Sequence, residues 1–121
     1  MAIGATLFSA LESADLLAGK YGMSAEVIDA RSLVPFNYEK VLASVKKTGR
    51  SVISSDATAR GSFLNDLARN ITGMAFDDLD PPPVVLGPRD WITPAYELQY
   101  AFFQPPETFI AIIHEKLFPL K

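Results

Sequence analysis

Runs with helical periodicity alternate with short β-branched runs along this chain, and no other sequence feature restricts its fold as strongly. Between residues 7 and 21, apolar residues recur three and four positions apart, and Gly22 follows as the glycine that commonly ends a helix. Residues 25–30 (AEVIDA) form a short apolar run of the kind found in interior strands of parallel sheets. Asn37 can then cap a second helix, over residues 38–47.

The second half of the chain continues this alternation. Residues 50–55 (RSVISS) are predicted to form a strand, and the apolar spacing from 63 to 76 predicts a third helix. The prolines at 81–83 have no amide hydrogen to donate, so the strand predicted at 84–86 can only begin after them and should lie at an edge. Residues 87–105 are predicted to be irregular, with one helical turn at 96–102, before a last helix that starts at Pro106.

This order of elements predicts a three-layer α/β/α fold with a mostly parallel, doubly wound sheet of about four to five strands. Only residues 1–5 remain for the first strand, where such a sheet normally has five or six apolar residues. The first strand is therefore expected to be truncated, and residues 1–121 to be a single domain excised from a larger chain. A short domain that pairs with a partner chain is the alternative.

Composition and charge exclude several classes of protein. The chain is 49% hydrophobic and 21% charged, as globular domains are, and its net charge of −3 gives no basis for binding nucleic acid or an anionic membrane. It has no cysteine, so disulfides and thiolate chemistry are excluded. These features fit a protein of the bacterial cytoplasm or the mitochondrial matrix.

Few side chains are suited to catalysis. His114 is the single histidine, is predicted to be a solvated residue of the last helix, and has no second histidine with which to form a relay. Gly4 alone is weak evidence for a phosphate-binding turn. Asp29 and Asp56 follow strands, but the acidic cluster that a receiver domain needs after its first strand is missing. We therefore predict no catalytic, cofactor-binding or metal-binding residue.

Several segments together resemble a known family. Residues 4–50 (GATLFSALESADLLAGKYGMSAEVIDARSLVPFNYEKVLASVKKTGR) are similar to the C-terminal domain of the beta subunits of pyruvate, branched-chain and acetoin dehydrogenases, and the similarity continues through FDDLDPPP and PPETFIAII. The resemblance covers nearly the whole chain. Transketolases and deoxyxylulose phosphate synthases share the fold and are the alternative family. A stand-alone Rossmann-like domain that binds a small ligand is the alternative of another class.

The resemblance implies a role in assembly rather than in catalysis. In the family, thiamine diphosphate and magnesium are held outside this domain, between the pyrimidine-binding domain and the alpha subunit, so no complete enzyme active site is expected here. The parent reaction is oxidative decarboxylation of a 2-oxo acid with acyl transfer to a lipoyl group. The expected partners are the alpha subunit, a second beta subunit and the subunit-binding domain of the acyltransferase.

The resemblance also implies one docking site. In the family, the aspartate of the FxxLDxP segment contacts the basic subunit-binding domain together with the C-terminal carboxylate, and these positions are Asp80 and Lys121 here. The alternative is that Asp80 only terminates a loop. Many members have His-Glu-Ala-Pro after the third strand, whereas this chain has Ser-Asp-Ala-Thr at 55–58, which implies that docking of the acyltransferase can differ or be absent.

Overall fold

A computed structural model describes residues 1–99 and 105–118 of the chain. Its long helices are α1 (Thr6–Tyr21), α2 (Tyr38–Thr48), α3 (Phe63–Met74) and α4 (Pro106–Leu117). The strands are β1 (Val52–Ser54) and β2 (Val84–Leu86), and short 3-10 turns occupy Phe76–Asp78 and Tyr96–Leu98. The elements occur in the predicted order. The predicted turn at 96–102 is present at its start, and residues 100–104 lie outside the described residues.

The helix ends follow the local chemistry of the sequence. Gly22 ends α1 with φ of 63°, a left-handed conformation that costs glycine little because it has no Cβ. The Asn37 side chain accepts a hydrogen bond from the Lys40 amide at 3.3 Å, and Ser62 does the same for the Leu64 amide at the start of α3. These capped ends fix where the chain leaves one helix and enters the next strand.

Four parallel segments lie side by side in the sheet. β1 pairs with β2, with Val52 opposite Val84. On the other side of β1, Ala2 forms parallel bridges both to Ser54 and to Asp29, so the spatial order is residues 28–30, residues 1–3, β1 and β2. The first segment therefore lies inside the sheet, as in a doubly wound fold. The predicted α/β class is confirmed, although the run predicted as a strand at 25–30 pairs only through this bridge.

Helices cover both faces of the sheet. On one face, α2 and α3 form a core of eight buried residues with the sheet: Ile28, Val41, Val45, Ile53, Leu64, Leu67, Ile71 and Ala75. On the other face, α4 closes a smaller cluster of Val84, Leu86, Phe109 and Leu117. Alternate residues of β2 point to opposite faces, since Val84 and Leu86 belong to the second cluster and Val85 packs against the first.

The buried face of α1 differs from the apolar stripe in its sequence. Ser13 and Leu17 are buried, whereas Leu11 and Tyr21, both members of that stripe, are exposed. The Ser13 hydroxyl donates to the carbonyl oxygen of Ser9 at 2.6 Å, so its burial leaves no unpaired donor. A small side chain at this position lets α4 lie close to α1. In the part of the chain that the structure describes, no helix is long and apolar enough to cross a bilayer.

Candidate docking site

Asp80 lies at the amino edge of the sheet, where the strands begin. It follows the 3-10 turn Phe76–Asp78 and precedes the three prolines that lead into β2. Its amide donates to the carbonyl oxygen of Gly49 at 2.8 Å, which ties this loop to the end of α2. The side chain is 65% exposed. A carboxylate on a backbone that is fixed on both sides is therefore presented to solvent.

Gly49 makes room for this carboxylate. It has φ of 68° and ends α2 through a hydrogen bond from its amide to the carbonyl oxygen of Val45 at 2.7 Å. A Cβ atom added at Gly49 would lie 3.0 Å from Oδ2 of Asp80. Glycine thus has two effects here: it adopts the left-handed backbone at little cost, and it lets the Asp80 side chain approach closely.

Arg50 joins Asp80 to the end of α4. Its Nη2 lies 3.4 Å from Oδ2 of Asp80, and its Nε donates to the carbonyl oxygen of Leu117 at 3.2 Å. Its guanidinium also lies over the Phe118 ring, 4.4 Å from the ring centre. The last carbonyl groups of a helix lack partners within the helix and carry partial negative charge, so a cation at this place is stabilised.

The structure describes one of the two residues predicted to bind a partner. Asp80 is exposed on its loop, whereas Lys121 lies outside the described residues, and partner binding by either residue stays a prediction. Phe118 is the last residue described, and it contacts Arg50 at the same corner. The sequence did not identify Arg50, which it placed at the start of a strand. No local signal connects this arginine to a carboxylate thirty positions later.

A cavity of about 430 Å³ lies at the opposite, carboxyl edge. Polar residues that line it are Thr6, Ser9, Ser55, Asp56, Tyr96 and Gln99. Ser55 donates from its hydroxyl to Asp56 at 3.3 Å and accepts from the amide of Ala57 at 3.2 Å. The loop at 57–59 passes so close to the end of β2 that a Cβ at Gly87 would lie 2.5 Å from the carbonyl oxygen of Ala57. Only glycine fits there without movement of the backbone.

The remaining polar residues considered from the sequence are not brought together. Asp29 accepts a hydrogen bond from its neighbour Arg31 at 2.6 Å. His114 is half-buried, and its ring lies 5.8 Å from that of Tyr21, so it is less solvated than predicted. Among residues 1–99 and 105–118, no three His, Cys, Asp or Glu side chains are grouped to hold a metal ion. These residues therefore do not fit a magnesium diphosphate.

The amino group of Met1 is buried inside the sheet. It donates to the carbonyl oxygen of Val52 at 2.8 Å, in the position that a strand amide would take. Burial lowers the pKa of this amino group from 8.0 to about 6, because the charged form loses its hydration. Burial thus favours the uncharged amine, which remains a hydrogen-bond donor.

Comparisons with known proteins identify relatives over most of the chain. Residues 1–108 match the family model described as transketolase, C-terminal domain. Similar proteins include the acetoin:2,6-dichlorophenolindophenol oxidoreductase subunit beta of Bacillus subtilis, which is 31% identical over 117 residues, or 96% of this chain and 34% of that protein.

Two further relatives are also named as beta subunits. The 2-oxoisovalerate dehydrogenase subunit beta of Pseudomonas aeruginosa is 37% identical over 94 residues, 77% of this chain and 26% of that protein. The mitochondrial pyruvate dehydrogenase E1 component subunit beta of Saccharomyces cerevisiae is 36% identical over 109 residues, 88% of this chain and 30% of that protein. The chain spans between a quarter and about a third of the length of these relatives.

Proposed function

Because the chain belongs to the transketolase C-terminal domain family, we propose that it is the assembly and docking domain of a 2-oxo acid dehydrogenase beta subunit. The names of its relatives support this reading, since they include pyruvate and 2-oxoisovalerate dehydrogenases. The parent enzyme would decarboxylate a 2-oxo acid and transfer the acyl group to lipoyl. Thiamine diphosphate would supply the carbanion chemistry of that reaction, bound outside this chain. The chain itself would hold subunits together.

The proposed partners follow from the same relationship. A beta subunit implies an alpha subunit, and a second copy of the beta subunit would complete the enzyme. The acyltransferase would bind through its basic subunit-binding domain. The bacterial and mitochondrial relatives support a place in the bacterial cytoplasm or the mitochondrial matrix.

The exposed carboxylate of Asp80 is the observation that carries the docking proposal. Its backbone is fixed by the hydrogen bond to Gly49 and by the prolines that follow, so little conformational freedom would be lost on binding. Asp77 and Asp78 are exposed in the preceding turn and add negative charge nearby. Such an arrangement attracts a basic surface and accelerates association with it. Lys121, through the terminal carboxylate, is proposed to add a second acceptor.

Titration calorimetry with a purified subunit-binding domain tests this proposal. We expect Asp80→Asn to weaken binding about tenfold, equivalent to about 1.4 kcal/mol, because the variant keeps the shape and loses the charge. Asp77→Asn is the matched control, since it removes one exposed charge from the same segment, and it should change affinity by less than about threefold. Equal binding by Asp80→Asn and the unaltered chain, or no heat from either, contradicts the docking role.

The cavity at the carboxyl edge favours a second candidate function, the binding of a small ligand. Doubly wound sheets bind ligands at this edge, where the strand order reverses. Here the reversal lies between residues 1–3 and β1, next to Thr6 and Asp56. A thermal-shift screen with nucleotides and sugar phosphates tests it, because a bound ligand raises the unfolding midpoint as its concentration rises. We expect no shift if docking is the only function.

A further inference from the structure

Asp80 forms an ion pair with Arg50, and other contacts hold the Arg50 side chain in place. Within residues 1–99 and 105–118, Arg50 is the one cationic side chain within 4.0 Å of the Asp80 carboxylate. The Arg50 side chain is 35% exposed, against 65% for Asp80. The Leu117 carbonyl and the Phe118 ring hold the guanidinium in place from the other side. If it moved away from Asp80, it would weaken both of those contacts.

The contact between the two side chains leaves space for a second cation. Arg50 approaches one oxygen, Oδ2, at 3.4 Å and does not form the two parallel hydrogen bonds of a bidentate pair. A carboxylate accepts about four hydrogen bonds through its two oxygens. A Lys or Arg side chain of a partner could therefore reach Asp80 while Arg50 stays in place, but the two cations would then lie close together.

We propose that Arg50 is an internal competitor that sets how tightly Asp80 binds a basic partner. The inference rests on the proposed docking function and adds its regulation. A mobile surface arginine would swing away from an arriving cation, whereas Arg50 is held by α4 and keeps its charge beside the site. The resulting repulsion should weaken binding, because like charges at this separation near a protein surface oppose each other.

Arg50 could also strengthen docking, by holding the Asp80 side chain in position. The position of Asp80 is set largely by its backbone, through the 2.8 Å hydrogen bond to Gly49 and the prolines that follow. Loss of the Arg50 charge should leave that backbone where it is. The charge effect is therefore the larger one, and neutralising Arg50 should strengthen docking.

Affinity measurements on two neutral variants test this inference. Arg50→Gln keeps a donor for the Leu117 carbonyl, and Arg50→Met keeps an apolar stem against Phe118, so one of them should fold even if the other does not. We expect about threefold to tenfold tighter binding of the subunit-binding domain at low salt, and a difference below about twofold at about 0.5 M salt, where screening is strong. Arg50→Lys should stay within about twofold of the unaltered chain, because it keeps the charge.

Lys47→Gln is the matched control for net charge. Lys47 is exposed in the last turn of α2 and lies 4.0 Å from Glu26, and it forms no ion pair with Asp80, so we expect a change below about twofold. Combining Arg50→Gln with Asp80→Asn should abolish the gain. Equal or weaker binding by both neutral variants overturns the inference, and it leaves the docking function standing if Asp80→Asn still lowers affinity. If neither the unaltered chain nor the neutral variants bind, docking and its regulation are both wrong.

Discussion

The two edges of the sheet are built differently. At the amino edge, ionisable groups meet the end of α4 and the start of β1: Arg50 joins Asp80 to the end of α4, and the Met1 amino group is buried against β1. At the carboxyl edge, loops surround a cavity lined by both polar and apolar residues, and Gly87 lets two of these loops touch. The first edge presents the Asp80 carboxylate to solvent, and the second forms the cavity. The proposed macromolecular partner would bind at the first, and a small molecule, the alternative, at the second.

In a 121-residue polypeptide that begins at Met1, the buried amino group at the amino edge gives the largest expected effect. The folded chain holds this pKa at about 6, against 8.0 when unfolded, so the unfolded state binds more protons between these values. Stability should therefore be highest above pH 8 and fall as the pH drops to 6, by up to about 3 kcal/mol. Urea unfolding of the 121-residue chain across this range measures it.

Acetylation of the amino group is the control for this prediction. The acetylated chain keeps an N–H group for the Val52 carbonyl and has no charge to titrate. Its stability should change less between pH 8 and pH 6 than that of the free amine. If the two chains show the same pH dependence, the titration belongs to another group and the burial of the amine is not its cause.

Gly87→Ala should produce the next largest effect, at the carboxyl edge. The added Cβ would lie 2.5 Å from the Ala57 carbonyl oxygen and 3.1 Å from the Ala59 nitrogen, and both are backbone atoms that move only with their loop. Overpacking of this kind costs about 2 kcal/mol. Thermal unfolding measures the loss. Gly73→Ala is the control, because nothing lies within 4 Å of its Cβ and helix propensity favours alanine there by up to about 1 kcal/mol. A similar stability for both variants would show that the loops adapt.

Gly49→Ala should lower stability by less than Gly87→Ala does, and it should also weaken docking. The left-handed backbone costs alanine about 1 kcal/mol, and the new Cβ pushes against a side chain that can rotate. Gly22→Ala is the matched control, because Gly22 has φ of 63° and nothing lies within 4 Å of the position that its Cβ would take. Both variants should lower the urea midpoint by similar amounts. If Gly22→Ala weakens docking as much as Gly49→Ala does, the displacement of Asp80 is not the reason.

Asp80→Asn should have the smallest effect on stability. Its ion pair with Arg50 is exposed, and such pairs contribute about 0 to 1 kcal/mol. We expect the free energy of unfolding to change by less than about 0.5 kcal/mol, as judged from the urea midpoint. A larger loss would mean that Asp80 mainly holds the loop to α2, which is the structural alternative to docking.

Local patterns in the sequence predicted the helices well. Asn37 and Gly22 mark helix ends by their own backbone chemistry, and Pro106 takes the first position of α4. The sequence also predicted that the sheet would be parallel and its first strand short. These features depend on residues close together in the chain, so their signal survives without knowledge of the tertiary structure.

Features that depend on distant segments could not be predicted in this way. Ser13 is buried because α4 packs against it, and a polar residue inside a helix gives no sign of that. The contact between Arg50 and Asp80 likewise depends on how α2 and the loop before β2 meet. Asp80 itself was identified through resemblance to a family and not through any pattern of spacing or charge.

Mapping the binding surface by NMR tests the docking proposal most directly, because it distinguishes the amino edge of the sheet from the carboxyl edge. Amide chemical shifts of the chain would be recorded by NMR with and without the subunit-binding domain. We expect shift changes centred on Gly49, Arg50 and Asp80 at the amino edge, with the amides of Ser55, Asp56 and Gly87 at the carboxyl edge unchanged. Changes centred on the carboxyl edge, or none at saturating partner, would contradict the docking proposal.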